Sequence, residues 1–131
     1  MKKASVLLVD DDDVYVESLS KLLKGRGYDV KGARDGPAAI GIMEEHDPDV
    51  VLLDLWMPGI DGIETLREIK AKRPRIQVII LTGHADAGTV MSAFTLEAFD
   101  YRPKTARLTE LLERIDKAFL QKLMMEQVVP G

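Results

Sequence analysis

Short apolar runs alternate with longer amphipathic stretches along the whole chain. The runs are predicted strands, at Val6–Val9, Tyr28–Ala33, Val50–Leu53, Ile76–Leu81 and Phe99–Arg102. The third and fourth are apolar throughout, which is typical of strands covered on both faces, and the second is predicted to be half exposed. Strands separated by helix-length segments favour βα units and a parallel sheet.

The segments between the strands carry apolar residues at helical spacing. The apolar face of the first predicted helix consists of Tyr15, Leu19, Leu22 and Leu23, that of the second of Ala39, Ile40 and Met43, and that of the third of Ile63, Leu66 and Ile69. The fourth helix is predicted over Ala87–Ala98, with Val90, Met91, Phe94 and Ala98 on its face. The face of the fifth consists of Leu108, Leu111, Leu112, Ile115 and Phe119. Gly25 and Gly27 are predicted to end the first helix. Asp35 or Gly36 is predicted to cap the second, with Pro37 at its first position.

Five β/α pairs predict a single α/β domain of the doubly wound, (βα)5 flavodoxin-like type. Its five-stranded parallel sheet is expected to have the order 2-1-3-4-5, and 131 residues suffice for one core. We assign residues 1–121 to this domain and residues 122–131 to a C-terminal tail, the start of a linker to an output domain. The segment "MPGIDG" (57–62) is a predicted loop.

The composition is that of a folded globular protein, with 46% hydrophobic and 31% charged residues. The chain has no cysteine, which excludes disulfides and thiolate metal sites and fits a cytoplasmic location. No apolar stretch is long enough for a signal peptide or a membrane span. The net charge of −4 argues against nucleic acid as a direct partner.

Polar residues follow the predicted strands. Asp10 and Asp11 follow the first, Asp54 the third, Thr82 the fourth, and Lys104 comes shortly after the fifth. In a doubly wound sheet, ligands bind outside the carboxyl ends of the strands where the strand order reverses, which is here between the first and third strands. We therefore expect the three aspartates to meet at that point, beside the threonine and the lysine.

Taken singly, these residues have ordinary structural interpretations. An aspartate after a strand commonly caps a helix or forms a turn, a threonine there bonds to backbone, and most lysines lie in solvent. Asp12 and Asp13 are themselves predicted to open the first helix, where negative charge is favourable. Four such sites at the same end of four strands favour a shared function instead.

Three carboxylates in one pocket require a compensating cation. Oxygen ligands without cysteine or histidine favour Mg²⁺, with Mn²⁺ as an alternative. A hydroxyl and an ammonium on the other side of the pocket suit a phosphoryl group. The pattern therefore predicts phosphoryl transfer onto a carboxylate, which gives an aspartyl phosphate.

Four motifs carry a resemblance to a known family: "VLLVDDD", "PDVVLLDLWMPGIDGIETLREIK", "VIILTGHAD" and "FDYRPK". In this order and spacing the chain resembles the receiver domain of bacterial two-component response regulators from Ala4 to Phe119. The resemblance implies a switch that accepts a phosphoryl group from a sensor histidine kinase or a phosphotransfer protein. It also implies that the domain catalyses only its own phosphorylation and dephosphorylation. The stretch "LTGHAD" is similar to receivers of enhancer-binding transcriptional activators.

The resemblance also assigns the phosphorylation and metal residues. Asp54 matches the phosphoacceptor, which contributes to the metal site as well. Asp11 matches the acidic residue that binds Mg²⁺ directly, and Asp10 the one that acts through a water. The backbone carbonyl of Trp56 matches the remaining protein ligand.

Signal relay is assigned by the same resemblance. Thr82 matches the hydroxyl that bonds a phosphoryl oxygen, and Lys104 the ammonium that pairs with it. Tyr101 matches the aromatic residue that turns inward when the threonine moves toward the phosphate. The expected output face consists of the fourth helix, the fifth strand and the fifth helix. An output domain, a downstream effector or a second phosphorylated copy would bind there.

Two departures from the family pattern concern the backbone. Thr105 follows Lys104 where the family usually has proline, and Pro103 precedes Lys104 instead. The family pattern therefore does not define the backbone conformation at Lys104. Glu97 stands where a glycine commonly ends the fourth helix. It must avoid left-handed geometry or accept strain.

A third departure is the bulk of Trp56 beside the phosphoacceptor. We hypothesise that Trp56 and His84 cover Asp54, control access to the phosphate and slow its hydrolysis. The alternative is that Trp56 lies on the surface and only its carbonyl takes part.

Three other functions compete with this interpretation. A haloacid-dehalogenase-type phosphohydrolase also uses a strand-end aspartate and Mg²⁺, but it needs a second aspartate where Trp56 stands. A flavin-binding module needs a phosphate loop after the first strand, where the aspartates would repel phosphate. A degenerate receiver, acting as a phosphorylation-independent interaction module, is disfavoured because every position of the acceptor site carries the expected chemistry.

Overall fold

The apolar runs form one parallel sheet, and the amphipathic segments cover both of its faces. A computed structural model describes residues 2–56, 62–84 and 86–128. The strands are β1 (Ser5–Val9), β2 (Asp29–Ala33), β3 (Val50–Leu53), β4 (Gln77–Thr82) and β5 (Asp100–Pro103). The helices are α1 (Asp13–Gly25), α2 (Gly36–Glu45), α3 (Gly62–Lys72), α4 (Ala87–Thr95) and α5 (Leu108–Val128). The strand order β2-β1-β3-β4-β5 confirms the predicted doubly wound, flavodoxin-like fold.

Alternation along the central strands divides the core into two layers. Leu7, Val51 and Ile80 point to the layer covered by α2, α3 and α4. Leu8 and Leu52 point to the layer covered by α1 and α5. Because both faces are covered, β1, β3 and β4 are buried almost throughout, which explains their continuous apolar sequences.

The register of the strands places the polar residues of the sequence at one edge of the sheet. Val9 pairs with Leu53 across β1 and β3, so the following residues, Asp10 and Asp54, are neighbours. The Asp54 N–H donates to the carbonyl of Val9 at 2.9 Å. Thr82 pairs with Pro103 across β4 and β5, and the Lys104 N–H donates to the Thr82 carbonyl at 3.1 Å.

Pro103 fits this arrangement because β5 is an edge strand, where a missing N–H is tolerated. The observed strand ends differ from the predicted ones by no more than one residue. Thr82 is the last residue of β4, which agrees with its predicted place at the end of the fourth strand.

The helix starts that the sequence predicts are confirmed for α1 and α2. Asp12 caps α1, since its side chain accepts the N–H of Tyr15 at 3.1 Å, and Asp13 lies in the first turn. Asp35, the first of the two predicted candidates, caps α2 by accepting the N–H of Ala38 at 2.8 Å. Pro37 is the second residue of α2, one position later than predicted, and it still lies in the first turn, where its missing N–H has no partner to lose.

The prediction for α4 is wrong at its C-terminus and in part of its face. The helix ends at Thr95 and not at Ala98. Met91 and Phe94 are 69% and 45% exposed, and the buried residue is Ala93. The segment is apolar on several sides, so its spacing did not define a single buried face. In α1, similarly, Leu19 and Leu23 are buried but Leu22 is exposed.

Two helices end in the same hydrogen-bond pattern with different residues at the left-handed position. Just after α1, Gly27 has φ +94°. The N–H of Gly27 donates to the carbonyl of Lys24, and the N–H of Tyr28 donates to the carbonyl of Leu23. This is a Schellman motif, which favours glycine at that position.

After α4, Glu97 has φ 70°, and its N–H donates to the carbonyl of Phe94 at 2.9 Å. The N–H of Ala98 donates to the carbonyl of Ala93 at 3.0 Å, which completes a second Schellman motif. Glu97 therefore adopts left-handed geometry and accepts the strain, the second of the two outcomes that the sequence left open.

Helix α5 continues across the boundary that the sequence placed at residue 121. Lys122 donates to Asp49 at 3.0 Å, and the other carboxylate oxygen of Asp49 accepts the N–H of Ser5 at 2.8 Å. Gln77 also lies 3.2 Å from the sulfur of Met125. Residues 122–128 are thus helical and attached to the amino-terminal edge of the sheet. A linker role for 122–131 stays a prediction.

Within the predicted loop 57–62, residues 57–61 lie outside the described residues. Among the helices that the structure describes, none combines the length and apolar character needed to cross a membrane.

Replacing Glu97 by glycine is expected to stabilise the protein by about 1 kcal/mol, because glycine adopts the left-handed conformation without the steric cost of a Cβ. Thermal unfolding should show a midpoint a few degrees higher. Glu97→Ala is the matched control, since it removes the carboxylate and keeps the strain.

Gly27→Ala should have the opposite effect to Glu97→Gly, because it introduces a Cβ at φ +94° where no atom crowds it. Equal midpoints for Glu97→Ala and Glu97→Gly would contradict a cost of backbone strain at position 97.

Candidate functional site

Three carboxylates meet where β1 and β3 end. Asp10 and Asp54 are buried, and the Asp11 side chain beside them is accessible to solvent. One oxygen from each of the three lies within 4.8 Å of the others. The sheet register brings Asp10 and Asp54 together, and Asp11 is the next residue of the chain. The structure therefore assembles the acidic cluster that the strand ends predict.

Both carboxylate oxygens of Asp10 have partners. Its Oδ1 accepts the N–H of Asp12 at 3.0 Å, which holds the start of α1 against the site. Its Oδ2 lies 2.7 Å from the Nζ of Lys104. The ammonium also lies 3.5 Å from Oδ2 of Asp54. One cation thus contacts both buried carboxylates.

The Asp54 side chain is held by the end of the neighbouring strand β4 and by the backbone that follows Asp54 itself. The Thr82 hydroxyl donates to Oδ1 of Asp54 at 2.7 Å, and the Trp56 N–H donates to the same oxygen at 3.1 Å. The His84 N–H lies 3.3 Å from the Thr82 hydroxyl oxygen. Oδ2 of Asp54 faces the ammonium and is the less constrained of the two oxygens.

Burial and charge act against each other in this pocket. Burial is the largest effect on Asp10 and raises its pKa; the hydrogen bonds from Lys104 and Asp12 only partly offset it. For Lys104, burial lowers the pKa, but the hydrogen bonds to Asp10 and Asp54 and the charges of these two carboxylates together outweigh burial, so the net shift is upward. The two shifts have different causes: burial raises the pKa of Asp10 and repulsion by Asp54 adds to it, whereas attraction by both carboxylates raises the pKa of Lys104.

Tyr15 belongs to the site, although the sequence placed it only on the apolar face of α1. The Lys104 ammonium lies 4.7 Å from the centroid of its ring. Burial, with a contribution from the neighbouring aspartates, raises the pKa of Tyr15 to about 12, so the phenol is neutral. The available signal was an aromatic residue one helical turn after the aspartates, but periodicity alone assigned it to the core.

Gly62 is a second residue whose place in the site was not predicted. A Cβ built there would lie 2.3 Å from the Cα of Leu55 and 2.6 Å from the carbonyl oxygen of Asp54. The N–H of Gly62 donates to the carbonyl of Leu55 at 3.1 Å. Only glycine allows α3 to begin this close to the backbone that carries Asp54.

The remaining predicted site residues lie at the border of the pocket. Trp56 is 54% exposed, and its N–H is the group that bonds Asp54. The His84 side chain is exposed. Tyr101 pairs with Ile80 in the sheet and is partly buried against the core layer of α2, α3 and α4. Metal binding by the Trp56 carbonyl, the cover formed by Trp56 and His84, and the movement of Tyr101 stay predictions.

The donor set fits a small, hard divalent cation. The cluster offers carboxylate oxygens, two of them buried, with Asp11 toward solvent, where waters can complete an octahedral shell. Asp10, Asp11 and Asp54 would hold such an ion. The repulsion between the Asp10 and Asp54 carboxylates, which adds to the effect of burial on the Asp10 pKa, would then be offset by the ion.

Comparison with protein families agrees with this site. The family model described as "Response regulator receiver domain" matches residues 6–116. The DNA-binding transcriptional regulator NtrC of Escherichia coli (strain K12) is 35% identical over 118 residues, which cover 90% of this chain and 25% of the relative. Response regulator MprA of Mycobacterium sp. (strain KMS) is 35% identical over 117 residues, which cover 89% of this chain and 50% of the relative. The chain thus spans a quarter to a half of the length of these curated relatives.

Solved structures show the same architecture. NtrX from Brucella abortus in complex with ATP superimposes with a TM-score of 0.89 at 28% identity, over 98% of this chain and 29% of the other. A response regulator receiver domain protein from Clostridium thermocellum has a TM-score of 0.87 at 33% identity, and the match covers 93% of this chain and 98% of the other.

We expect Mg²⁺ to raise the thermal stability of the protein, because it would neutralise carboxylates that repel one another in the folded state. At ten times the dissociation constant the gain is about 1.4 kcal/mol. Replacing Asp11 by asparagine should remove most of this gain.

Asp13→Asn is the matched control, since Asp13 has the same charge but bonds to the exposed Arg34 outside the cluster. Equal Mg²⁺ stabilisation of the two asparagine variants would contradict a metal site at Asp10, Asp11 and Asp54.

Proposed function

Because the chain belongs to the response regulator receiver domain family, we propose that it is a phosphorylation-dependent signalling switch whose phosphoacceptor is Asp54. The observation that carries the proposal is the set of contacts around this one carboxylate. Asp54 is buried beside Asp10, accepts the Thr82 hydroxyl at 2.7 Å and lies 3.5 Å from the Lys104 ammonium. A structural aspartate at a strand end needs none of these groups.

The proposed reaction moves one phosphoryl group onto Asp54. A carboxylate oxygen of Asp54 forms the new P–O bond while the P–N bond of a phosphohistidine breaks, and the imidazole leaves with its electron pair. Reversal of the signal is hydrolysis, in which water attacks phosphorus and inorganic phosphate leaves the restored carboxylate. We propose that the catalytic chemistry of the domain is confined to this reaction on its own side chain.

Each polar group in the pocket has a task in this reaction. A bound Mg²⁺ supplies positive charge that offsets the negative charge of the carboxylates and the incoming phosphoryl oxygens. Lys104 carries a second positive charge on a side chain long enough to turn from Asp10 toward a phosphoryl oxygen. Thr82 can transfer its hydrogen bond from Asp54 to the phosphoryl group, which would shift the end of β4.

The proposed relay runs from that shift to the surface formed by α4, β5 and α5. Tyr101 lies on β5, partly buried beside the core, and is paired with Ile80 on the strand that ends in Thr82. A change in the position of Thr82 would alter the space available to the Tyr101 ring. The Tyr101 ring would then take a different position in the phosphorylated protein. A partner whose affinity depends on the position of this ring would detect phosphorylation.

The partners follow from the same proposal. A sensor histidine kinase or a phosphotransfer protein would donate the phosphoryl group. The output is an attached domain, a separate effector or a second phosphorylated copy. Since the matched relatives extend well beyond the region shared with this chain, an attached output domain is consistent with their length.

Incubation with Mg²⁺ and acetyl phosphate is expected to add the mass of one phosphoryl group, measured by intact-protein mass spectrometry. Asp54→Asn should abolish the addition, because the amide lacks a nucleophilic carboxylate. Omission of Mg²⁺ should also abolish it.

Asp49→Asn serves as the control variant, since Asp49 is an aspartate at the opposite edge of the sheet. An unmodified wild-type protein would favour the degenerate-receiver alternative. A phosphorylated Asp54→Asn variant would place the acceptor on another residue.

Replacing Trp56 by asparagine is expected to shorten the lifetime of the aspartyl phosphate if the indole limits the approach of water to phosphorus. The measurement is the loss of phosphate with time after the phosphodonor is removed. We expect an acceleration of about 3- to 10-fold, which corresponds to roughly 1 kcal/mol in the barrier.

Trp56→Phe is the control, because it retains an aromatic ring at the same position. An unchanged half-life in Trp56→Asn would show that the indole does not slow hydrolysis and that only the backbone of Trp56 contributes to the site.

A further inference from the structure

Four groups at the edge of the pocket form a closed circuit of contacts. Oδ1 of Asp10 accepts the N–H of Asp12, and the Asp12 side chain accepts the N–H of Tyr15. The Tyr15 ring lies against the Lys104 ammonium, with 4.7 Å from Nζ to the ring centroid. The ammonium in turn lies 2.7 Å from Oδ2 of Asp10 and closes the circuit. The start of α1 therefore positions an aromatic face directly beside the lysine.

This circuit cannot persist unchanged when a cation binds at the aspartates. Both oxygens of Asp10 are already in use, one by a backbone N–H and the other by Lys104. A divalent cation at Asp10 would repel the neighbouring ammonium, because like charges a few ångströms apart are unfavourable in a buried pocket. Lys104 must therefore weaken its contact with Asp10 as the metal site fills.

The ring of Tyr15 already contacts the Lys104 ammonium and would keep a favourable contact with it when the bond to Asp10 is lost. Its face attracts a cation without donating a ligand atom to the metal. The ring is fixed, because Tyr15 lies in the first turn of α1 and packs against the core layer of α1 and α5. A flexible lysine held against a rigid ring loses less freedom when it later pairs with a phosphoryl oxygen.

We propose that Tyr15 is a positioning residue for phosphoryl transfer, whose ring retains the Lys104 ammonium in the pocket when Mg²⁺ takes over Asp10. The proposal rests on the proposed function of Asp54. It adds a residue of α1 to the groups that prepare the site. Tyr15 acts through Lys104 and does not touch the phosphoryl group.

The test is a double-mutant cycle on Mg²⁺ affinity, measured by isothermal titration calorimetry. Because the contact between the ring and the ammonium is present without the metal, only its strengthening on Mg²⁺ binding alters the affinity. Tyr15→Leu should therefore weaken Mg²⁺ binding by a few fold, with about 30-fold, the value of an entire cation–π contact, as the upper limit. Tyr15→Phe should restore the affinity, because the ring is present and only the hydroxyl is absent. In a Lys104→Ala background, Tyr15→Leu should have no effect, since no ammonium remains to be held.

A loss of Mg²⁺ affinity that is equal with and without Lys104 would overturn the proposal and assign Tyr15 a purely structural role. No loss in either background would overturn it as well. Should Tyr15→Leu fold poorly, Tyr15→Met repeats the cycle with an unbranched apolar side chain. In ¹H–¹³C spectra, the Lys104 methylene signals should keep their ring-current shift in the Mg²⁺-bound wild type and lose it in Tyr15→Leu.

The phosphorylation rate at saturating Mg²⁺ separates this proposal from the one on which it rests. A slower rate in Tyr15→Leu, with Tyr15→Phe equal to wild type, supports the positioning role. A wild-type protein that acetyl phosphate does not modify would refute Asp54 as the acceptor, whereas the Mg²⁺ cycle would still decide the role of Tyr15.

Discussion

Two buried carboxylates, Asp10 and Asp54, lie side by side at the ends of adjacent strands, and the ammonium of Lys104 contacts both. Such a pair is unfavourable unless positive charge reaches it. The lysine comes from the end of β5, two strands away from β3, and it reaches the pocket because all strands are parallel and end at the same edge. The positions of Asp10, Asp54 and Lys104 depend on the order of the strands, on their register and on the close approach of α3 at Gly62. These features together bring the ammonium to the two carboxylates.

Much of this arrangement could be predicted from the sequence, for physical reasons that are specific to parallel sheets. A strand covered on both faces must be apolar throughout, so β1, β3 and β4 are visible as short aliphatic runs. The polar residue that follows such a run must lie at the carboxyl edge. The two rules together place Asp10, Asp54 and Thr82 in one pocket without any knowledge of distances.

The features that the sequence did not reveal depend on contacts between distant segments. Tyr15 has the spacing of a core residue, and only the position of Lys104, far along the chain, makes it part of the site. The end of α4 was misplaced because Glu97 adopts a conformation that its residue type disfavours, which local preference cannot foresee. The buried face of α4 was ambiguous because the apolar residues of this helix lie on several of its sides.

The position of Trp56 gives this molecule an internal optical reporter. The chain contains one tryptophan, and the backbone N–H of this residue donates to the carboxylate at the centre of the pocket. Its indole is more than half exposed, so its emission depends on the solvent and charge at the border of the site. Tryptophan fluorescence therefore comes from a single known location, and occupancy of the pocket can be followed in real time without a dye.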